Sequence, residues 1–309
     1  MDDDDNPFAA DDNPFAEDGD AGSYDGADGA VWGQRLALAD DEGEAMDVED
    51  LCGALHGLPI AEAEEGIRRA LGKANGNVSE ADVAAVLLKL FRWTRDAALG
   101  GYEPWDDAVA YCERLTSLCD SNFVTSAGGE AGEGTRDFPV TVVALVYAEC
   151  GRTLALAGHL GPARDRLLKS ISVFGLTPGG DETLRGQTAA TRASLARVHR
   201  RSGHLEAAQR EYLQALELYA QLPPGLGDDL VEFISEYCEV LAEVGVEGLS
   251  PSLPALLSEV AAEKLGGGSD DHLKVLRCVA ETYETAGHPE LAVTALVMRA
   301  KLLVANGGG

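Results

Sequence analysis

The sequence predicts an all-α fold: a right-handed superhelical array of antiparallel helical hairpins that follows a disordered acidic tail. From about residue 46 onward, apolar residues recur at intervals of three and four, the spacing of one face of an α-helix. Aromatic residues make up only 6% of the chain while Ala and Leu are abundant, which favours closely packed helices over a sheet. A pattern of two helical segments joined by a turn also recurs along the chain. One such hairpin cannot bury its apolar face alone.

The clearest hairpin spans residues 192–219, where two helical runs flank Gly203. The second run has small or apolar residues at successive helical steps: Leu205, Ala208, Tyr212, Ala215 and Tyr219. The alanines allow the two backbones to approach closely, and Leu205 and Tyr212 fill the space between them. These residues predict two antiparallel helices joined by a tight turn.

The same phrase returns at other glycines. Gly158 and Gly287 are each followed, like Gly203, by a histidine and then by an alanine five residues after the glycine. Gly158 and Gly203 are 45 residues apart, and Gly203 and Gly287 are 84 apart, which is twice 42. The midpoint of the second interval is Gly245, inside a further pair of helical runs, and an earlier pair flanks the two glycines at 100–101. Five hairpins are therefore predicted.

The clearest hairpin also carries a family resemblance. Its residues resemble the tetratricopeptide repeat (TPR): Leu195 and Ala196 in the first helix, Gly203 at the turn, and Leu205, Ala208, Tyr212 and Ala215 in the second helix. The interval exceeds the 34 residues usual for that repeat and is similar to that of kinesin light chain repeats. The resemblance implies a TPR-like solenoid whose groove, lined by the first helix of each hairpin, binds a peptide or a partner subunit. It implies no enzymatic activity.

The chain divides into three predicted regions: a tail at 1–45, a helical cap with the first array helix at 46–98, and TPR-like repeats at 99–306. Three helices are predicted in the first part of the cap region, with Ser79 and Asp82 as a capping pair before the third. The run RRALGKANGNVSEADVAAVLL resembles the last two helices of a ubiquitin-associated domain, although His56-Gly57-Leu58 stands where such domains favour Met-Gly-Phe. Ubiquitin binding and a cap on the array are both open interpretations.

The tail contains the phrase DDNPFA twice, at residues 4–9 and 11–16. It is acidic and poor in branched apolar residues, so it is not expected to fold by itself. Each phrase contains an Asn-Pro-Phe (NPF) tripeptide, and the six residues are Asn6, Pro7, Phe8, Asn13, Pro14 and Phe15. Asn can cap a turn, Pro fixes the next backbone angle, and Phe presents one apolar side chain. The tripeptides resemble the ligands of EH domains, which implies an EH-domain partner in endocytosis or recycling; the other interpretation is a solubilising tail.

The charge of the chain limits its partners. The formal net charge is -29, and residues 1–50 hold -17 of it, from 18 Asp and Glu against Arg35. Such a field repels phosphate backbones and anionic lipids, so neither nucleic acid nor membrane headgroups are expected as direct partners. The sequence has no apolar run of the roughly 18 residues that a membrane span needs, and no start typical of a signal peptide. A cytoplasmic location is expected, with any association with endosomal or other vesicle membranes made through partner proteins.

Cysteine and histidine, which are typical metal ligands, occur in patterns that favour structural roles. The six cysteines are widely spaced with no CxxC pair and are expected to pack in the core. His159, His204 and His288 each follow a turn glycine, but equivalent positions in stacked hairpins are about 10 Å apart, too far to share one ion. They are expected to start the second helix of each hairpin. No catalytic, cofactor or metal site is predicted.

The acidic array contains one basic concentration: Arg192, Arg197, Arg200 and Arg201. It lies on the first helix of the clearest hairpin, so we expect it to line the groove and attract an acidic peptide or the protein's own acidic tail; the alternative is an ordinary solvated helix face. The sequence thus favours an interaction adaptor in vesicle trafficking. Two competing functions, in which the tail only solubilises, are a subunit of a large structural or ciliary assembly and a TPR co-chaperone that clamps an acidic C-terminal peptide.

Overall fold

The computed structural model describes residues 38–39, 45–75, 78–122, 138–176, 182–223, 230–245 and 253–307. Within these ranges the chain forms twelve α-helices and one pair of two-residue strands. The prediction of an all-α fold built from helical hairpins is therefore confirmed. None of the described helices is long and apolar enough to cross a membrane.

The elements follow one another in chain order. The first six are β1 Leu38–Ala39, β2 Ala45–Met46, α1 Val48–Leu55, α2 Ile60–Asn75, α3 Glu80–Leu99 and α4 Trp105–Asn122. The other eight are α5 Val140–Leu156, α6 Leu160–Phe174, α7 Glu182–Arg201, α8 Leu205–Ala220, α9 Leu230–Val244, α10 Leu253–Leu265, α11 Asp270–Thr285 and α12 Pro289–Gly307. The two strands pair antiparallel, with Leu38 opposite Met46, so regular structure begins inside the region predicted as tail.

The described residues form two compact units. The first comprises those up to Val142 together with Leu156–Gly158, and the second comprises Val143–Ala155 and the residues from His159 onward. The second unit therefore contains four of the five predicted hairpins, apart from a few residues of α5 and its turn. The region boundaries after residues 45 and 98 stay predictions.

In the first unit, α1 and α3 begin at side-chain caps. Asp47 Oδ1 accepts the backbone N–H of Asp50 at 2.7 Å, and Ser79 Oγ accepts that of Asp82 at 3.1 Å. These bonds satisfy N–H groups that a helix start leaves without a partner. The predicted cap at Ser79 is confirmed. Helix α3 then continues to Leu99 and packs against α4, so the segment that resembles the last helix of a ubiquitin-associated domain is also the first helix of a hairpin.

A cluster of charged side chains joins α2, α3 and α4. Arg68 Nη1 donates to Glu80 Oε1 at 2.7 Å, and its Nη2 donates to Glu64 Oε1 at 2.8 Å. Arg114 Nε donates to Glu64 Oε2 at 2.6 Å. The hydrogen bond from Arg114 is the main cause that lowers the pKa of Glu64 below its ordinary value, in spite of the burial of this carboxylate. Glu64 is thus held in its charged form where three helices meet.

Each of the five glycines predicted at the turns lies in the left-handed region, and the residues that follow Gly245, 246–252, lie outside the described residues. The φ angles are 71° at Gly101, 85° at Gly158, 75° at Gly203, 84° at Gly245 and 82° at Gly287. After three of these glycines the N–H of a histidine donates to the carbonyl five residues earlier: His159 to Leu154 at 2.8 Å, His204 to His199 at 2.9 Å and His288 to Tyr283 at 2.8 Å. This bond ends the first helix in a Schellman turn, which requires a positive φ at the residue before the donor.

The same three histidines also start the second helices, as predicted, but through their backbones. Their carbonyl oxygens accept the N–H groups of Ala163 at 3.0 Å, Ala208 at 3.0 Å and Ala292 at 3.1 Å. The side chains of His159 and His204 make no capping hydrogen bond. The histidine side chain is therefore not what begins these helices.

Close backbone approach holds the hairpin of α5 and α6 together. Ser170 Oγ donates to the carbonyl of Ala144 at 2.7 Å across the two helices. A Cβ added at Gly151 of α5 would lie 2.7 Å from Leu167 Cγ of α6, nearer than real side chains approach. Glycine at this position lets Leu167 become fully buried.

Aromatic side chains fill the space between the next two hairpins. Tyr212 of α8 is fully buried, and its ring centroid lies 5.6 Å from that of Tyr237 and 5.5 Å from that of Phe233, both on α9. Tyr219 of α8 lies 5.0 Å from the same Phe233 ring. Offset and tilted aromatic pairs at these distances stabilise a contact beyond the area that they bury. The core of the second unit is therefore continuous from one hairpin to the next.

The cysteines pack in the interior, as predicted. The six free thiols include five that are at most 1% exposed, namely Cys52, Cys112, Cys119, Cys150 and Cys238. Cys278 is half-buried. They serve as small apolar side chains between helices.

Candidate interaction surface

The four predicted arginines, here called the arginine row, lie on α7 in the second unit: Arg192, Arg197, Arg200 and Arg201. Helix α7 is the first helix of its hairpin, and its arginine side chains reach α9, the first helix of the next one. The row occupies the last three turns of α7, where it faces α5, α8 and α9. Its members therefore have neighbours on three helices.

Arg197 is bonded to a partly buried carboxylate of α9. Its Nε donates to Glu236 Oε2 of α9 at 2.8 Å, and both side chains are 21% exposed. The hydroxyl of Tyr212 donates to the same carboxylate oxygen at 3.1 Å. Burial raises the pKa of Tyr212, so its hydroxyl keeps the proton that it donates. Glu236 thus receives hydrogen bonds from both helices of the preceding hairpin.

Arg200 is bonded to two carboxylates of α9. Its Nη1 donates to Glu239 Oε2 at 2.7 Å and its Nη2 to Glu243 Oε1 at 2.5 Å. The two acids are more exposed than the arginine, at 59% and 41% against 30%. The exposed edge of the surface beside Arg200 is therefore acidic.

Arg192 and Arg201 are bonded within the second unit in other directions. Arg192 Nη1 donates to Glu211 of α8 at 2.7 Å and also contacts the amide oxygen of Gln214. Arg201 Nη1 donates to the carbonyl of Ala155 near the end of α5 at 2.6 Å. Burial lowers the pKa of Arg201, yet it leaves a guanidinium protonated at any physiological pH.

The structure places all four arginines together, and gives each an acceptor inside the chain. These bonds tie α7 to α5, α8 and α9, a role that the sequence alone did not suggest. An acidic peptide that approached the row would have to replace Glu236, Glu239 or Glu243, or bind around them. Binding of an acidic peptide by the row stays a prediction.

Sequence reasoning missed these three glutamates, although a signal for them exists. Glu236, Glu239 and Glu243 recur at intervals of three and four, as do Arg197 and Arg200. The bonded pairs are separated by 39 or 43 residues, close to the repeat interval of 42 to 45. Opposite charges one repeat apart on first helices therefore indicate a contact between neighbouring hairpins.

The described residues contain no group of three or more His, Cys, Asp and Glu side chains that could hold a metal ion. Burial lowers the pKa of His199, whose ring lies 6.1 Å from that of His204. The two NPF tripeptides, residues 6–8 and 13–15, lie outside the described residues.

Comparison with solved structures finds other helical repeat proteins. One is a Podosopora anserina protein with nearly identical TPR-like repeats of the kinesin light chain kind, at 15% identity and a TM-score of 0.49 over 74% of this chain and 99% of that chain. BtubC (BKLC) from P. vanneervenii has 11% identity and a TM-score of 0.49, with 85% and 94% covered. YrrB, a TPR protein with an unusual peptide-binding site, has 15% identity and a TM-score of 0.41, with 71% and 86% covered. No family model and no curated protein sequence matches the chain.

Proposed function

We propose that this protein is a non-enzymatic interaction adaptor, in which the helical repeats bind a partner protein and the acidic tail recruits an EH-domain protein in vesicle trafficking. The observation that carries the adaptor role is the succession of helical hairpins in the second unit, three of which turn at the same Gly-His pair. Arrays of this kind expose long faces of charged and polar side chains, and such faces bind extended peptides or helices.

The EH-domain partner is supported by the duplicated tail phrase. The sequence Asn-Pro-Phe favours a turn that presents one phenyl ring, so a peptide of this kind loses little additional entropy when it docks. The two tripeptides begin seven residues apart, at Asn6 and Asn13. A second copy this close raises the local concentration of ligand at one domain and allows rebinding before the chain diffuses away.

A capture experiment with the full chain tests this part of the proposal. Isolated EH domains on beads should retain the wild-type protein and lose it when Phe8→Ala and Phe15→Ala are combined. Each single change should weaken capture without abolishing it, because one tripeptide remains. Tyr24→Ala is the matched control, since it removes an aromatic ring from the same acidic tail outside both tripeptides, and it should leave capture unchanged.

Two outcomes would decide against trafficking. Equal capture of the wild-type and doubly substituted chains would show that the EH domains do not bind the phenylalanines. Capture by neither would leave the repeats as the functional part, as in a structural or ciliary assembly subunit or a TPR co-chaperone with a solubilising tail. Proximity labelling in the native cell separates those two alternatives by the proteins that it marks.

The arginine row requires a separate measurement of stability and binding. If the row serves mainly to join hairpins, Arg200→Gln lowers the melting temperature because Glu239 and Glu243 then repel each other on α9 without a cation between them. If the row serves an acidic peptide, the same change weakens binding of a poly-glutamate peptide at unchanged melting temperature. The bonds to Glu239 and Glu243 favour the first result.

A further inference from the structure

Helix α12 of the second unit exposes a row of large apolar side chains. Five of them are at least 45% exposed: Val293, Leu296, Val297, Leu303 and Val304. Beside this row on the same helix, Ala292 and Ala295 are almost fully buried, and α12 packs against α11. Apolar side chains clustered on one helix face mark a surface that binds another element.

Alignment of the repeats identifies the residues of the other hairpins that correspond to this face. The histidine that follows each turn glycine is a common starting point for α6, α8 and α12. The eighth residue after it is Leu167, Tyr212 or Leu296, and the fifteenth is Phe174, Tyr219 or Leu303. Large apolar residues therefore occupy the same two positions in three second helices.

These positions are covered in the two earlier hairpins. Leu167, Phe174 and Tyr212 are 0%, 6% and 0% exposed, whereas Leu296 and Leu303 are each 45% exposed. On α8 the cover is α9, the first helix of the next hairpin, through the rings of Phe233 and Tyr237. The face of α12 thus corresponds to the face of α8 that the next hairpin covers, whereas Leu167 of α6 lies against α5 of its own hairpin.

We propose that the face of α12 around Leu296 and Leu303 binds a basic amphipathic helix of a partner protein, which takes the place that α9 takes on α8. The shape of the existing interface requires two large aromatic side chains one turn apart, as Phe233 and Tyr237 are on α9. The charge of the docking helix follows from the neighbouring first helix.

The charges of α11 are opposite to those of α7. The residues of α11 that correspond to Arg197 and Arg200 of α7 are Glu281 and Glu284, which lie 84 residues later in the chain. Both carboxylates are exposed, and Glu281 accepts a hydrogen bond from Arg277 at 2.7 Å. A helix seated as α9 is would place its charged side chains near these two acids. It therefore needs Lys or Arg where α9 has Glu236, Glu239 and Glu243, and a helix with the charges of α9 would be repelled.

The chemistry disfavours a second copy of the chain as the occupant. The net charge of -29 makes two copies repel each other, and the first helix that carries the required aromatic pair, α9, has three acids in the places where bases are needed. A basic partner meets a favourable field instead, which also speeds its association.

The test uses peptide copies of α9 with the full chain. The probe is residues 230–244 with Glu236→Arg, Glu239→Arg, Glu243→Arg and Cys238→Ser, and the control peptide carries only Cys238→Ser. The probe should bind by fluorescence anisotropy, and the control should bind at least about ten-fold more weakly because of its charge. Both peptides keep Phe233 and Tyr237, so the difference reports charge alone.

Substitutions in the protein locate the site. Leu296→Asp with Leu303→Asp should weaken binding of the probe by about ten-fold or more, since two side chains lose their apolar contact. Thr294→Asp adds one negative charge to the same helix on a different side and should change the affinity less than about two-fold. Glu281→Arg with Glu284→Arg should reverse the preference, so that the control peptide binds better than the probe. Circular dichroism checks that each variant keeps its helices.

The results separate this inference from the tail proposal. Probe binding should persist in the chain that carries Phe8→Ala and Phe15→Ala. Absence of probe binding, equal affinity for both peptides, or undiminished binding to the Leu296→Asp, Leu303→Asp variant would overturn the inference. Sedimentation provides the remaining check: a dimer that these two substitutions dissociate would show that a second copy covers the face, and the inference would then be wrong.

Discussion

Cys278 is the residue whose chemistry differs most from that of its five counterparts. It is half-buried on α11 and accepts a hydrogen bond from the fully buried Cys238 of α9, and this bond lowers its pKa from 9.0 to about 7. The same bond and burial raise the pKa of Cys238. The hydrogen bond thus favours the thiolate of Cys278 over that of Cys238.

We predict that removal of the donor makes Cys278 less reactive. In the Cys238→Ala variant, the pH midpoint of the alkylation rate of Cys278 should move from about 7 toward 9.0, because the thiolate loses its hydrogen bond. Peptide mass spectrometry after timed exposure to iodoacetamide measures this rate at each pH. The midpoint is independent of how easily the reagent reaches the sulfur, so a cavity at residue 238 does not mimic the effect. An unchanged midpoint would contradict the prediction.

His272 gives the stability of the fold a pH dependence. Its Nδ1 accepts the backbone N–H of Gly268 at 3.1 Å, and its Nε2 lies 3.4 Å from Ser258 Oγ. Burial lowers its pKa below the ordinary value of 6.5, so the folded protein holds the neutral ring. Below pH 6.5 the unfolded chain binds the proton more readily, and stability is lost as the pH falls from there toward the folded pKa.

We therefore expect His272→Asn to flatten the pH dependence of the melting temperature. Asparagine can accept from Gly268 with its amide oxygen but does not titrate, so its curve should fall less than that of the wild type between pH 7 and 5. Part of the slope should remain, because burial lowers the pKa of His199 as well. Parallel curves for the two proteins would show that His272 does not contribute.

At the scale of one element, each hairpin depends on the residue that ends its first helix. Gly203 has a φ of 75°, and the Schellman bond from His204 forms only with this geometry. A Cβ at Gly203 would have open space around it, so the cost of a side chain there is conformational and not steric. A substitution at Gly203 therefore measures the free-energy cost of the left-handed backbone conformation.

We predict that Gly203→Ala lowers the free energy of unfolding by about 1 kcal/mol. Gly161→Ala is a matched control, because a Cβ there also meets open space but the residue lies inside α6 with helical backbone. It should raise stability by about 0.5 kcal/mol. Thermal unfolding of both variants gives the comparison, and a loss of stability in both would contradict it.

The elements were predictable because their signals are local. Glycines such as Gly158 and Gly203 end helices because glycine by itself adopts a positive φ easily. The histidines after them lie at fixed positions in the turn. The partners of the arginine row were not predictable in the same way, because Arg197 and Glu236 meet only after two hairpins have packed. The exposure of Leu296 and Leu303 was missed for a related reason: their pattern equals that of Tyr212 and Tyr219, and only the structure shows which pair is covered.

For the whole molecule, the excess of negative charge opposes compaction. The net charge is -29, of which about -12 lies beyond residue 50, where the described helices pack together. Exposed ion pairs such as that of Arg277 with Glu281 contribute little to the stability of the fold. Repulsion between the remaining acids should therefore dominate the response to salt.

We predict that sodium chloride stabilises the protein. When the salt concentration rises from about 0.01 M to 0.1 M, the screening length falls from about 30 Å to about 10 Å, so distant acids repel each other less. The melting temperature should rise by about 2 °C or more over this interval. Sodium chloride is preferable to sulfate, which stabilises proteins by exclusion from their surface. A falling melting temperature would show that ion pairs, and not repulsion, control the response.

The hydrogen bond from Arg201 to the carbonyl of Ala155 joins the ends of the first helices of two neighbouring hairpins. The last turn of α5 therefore cannot fray without releasing the last turn of α7. In native-state hydrogen exchange, the amides of these two turns should open together as one cooperative unit, although they lie 46 residues apart in the chain. The unit of local unfolding in this part of the array is then larger than a single repeat, because the guanidinium of Arg201 joins the two turns.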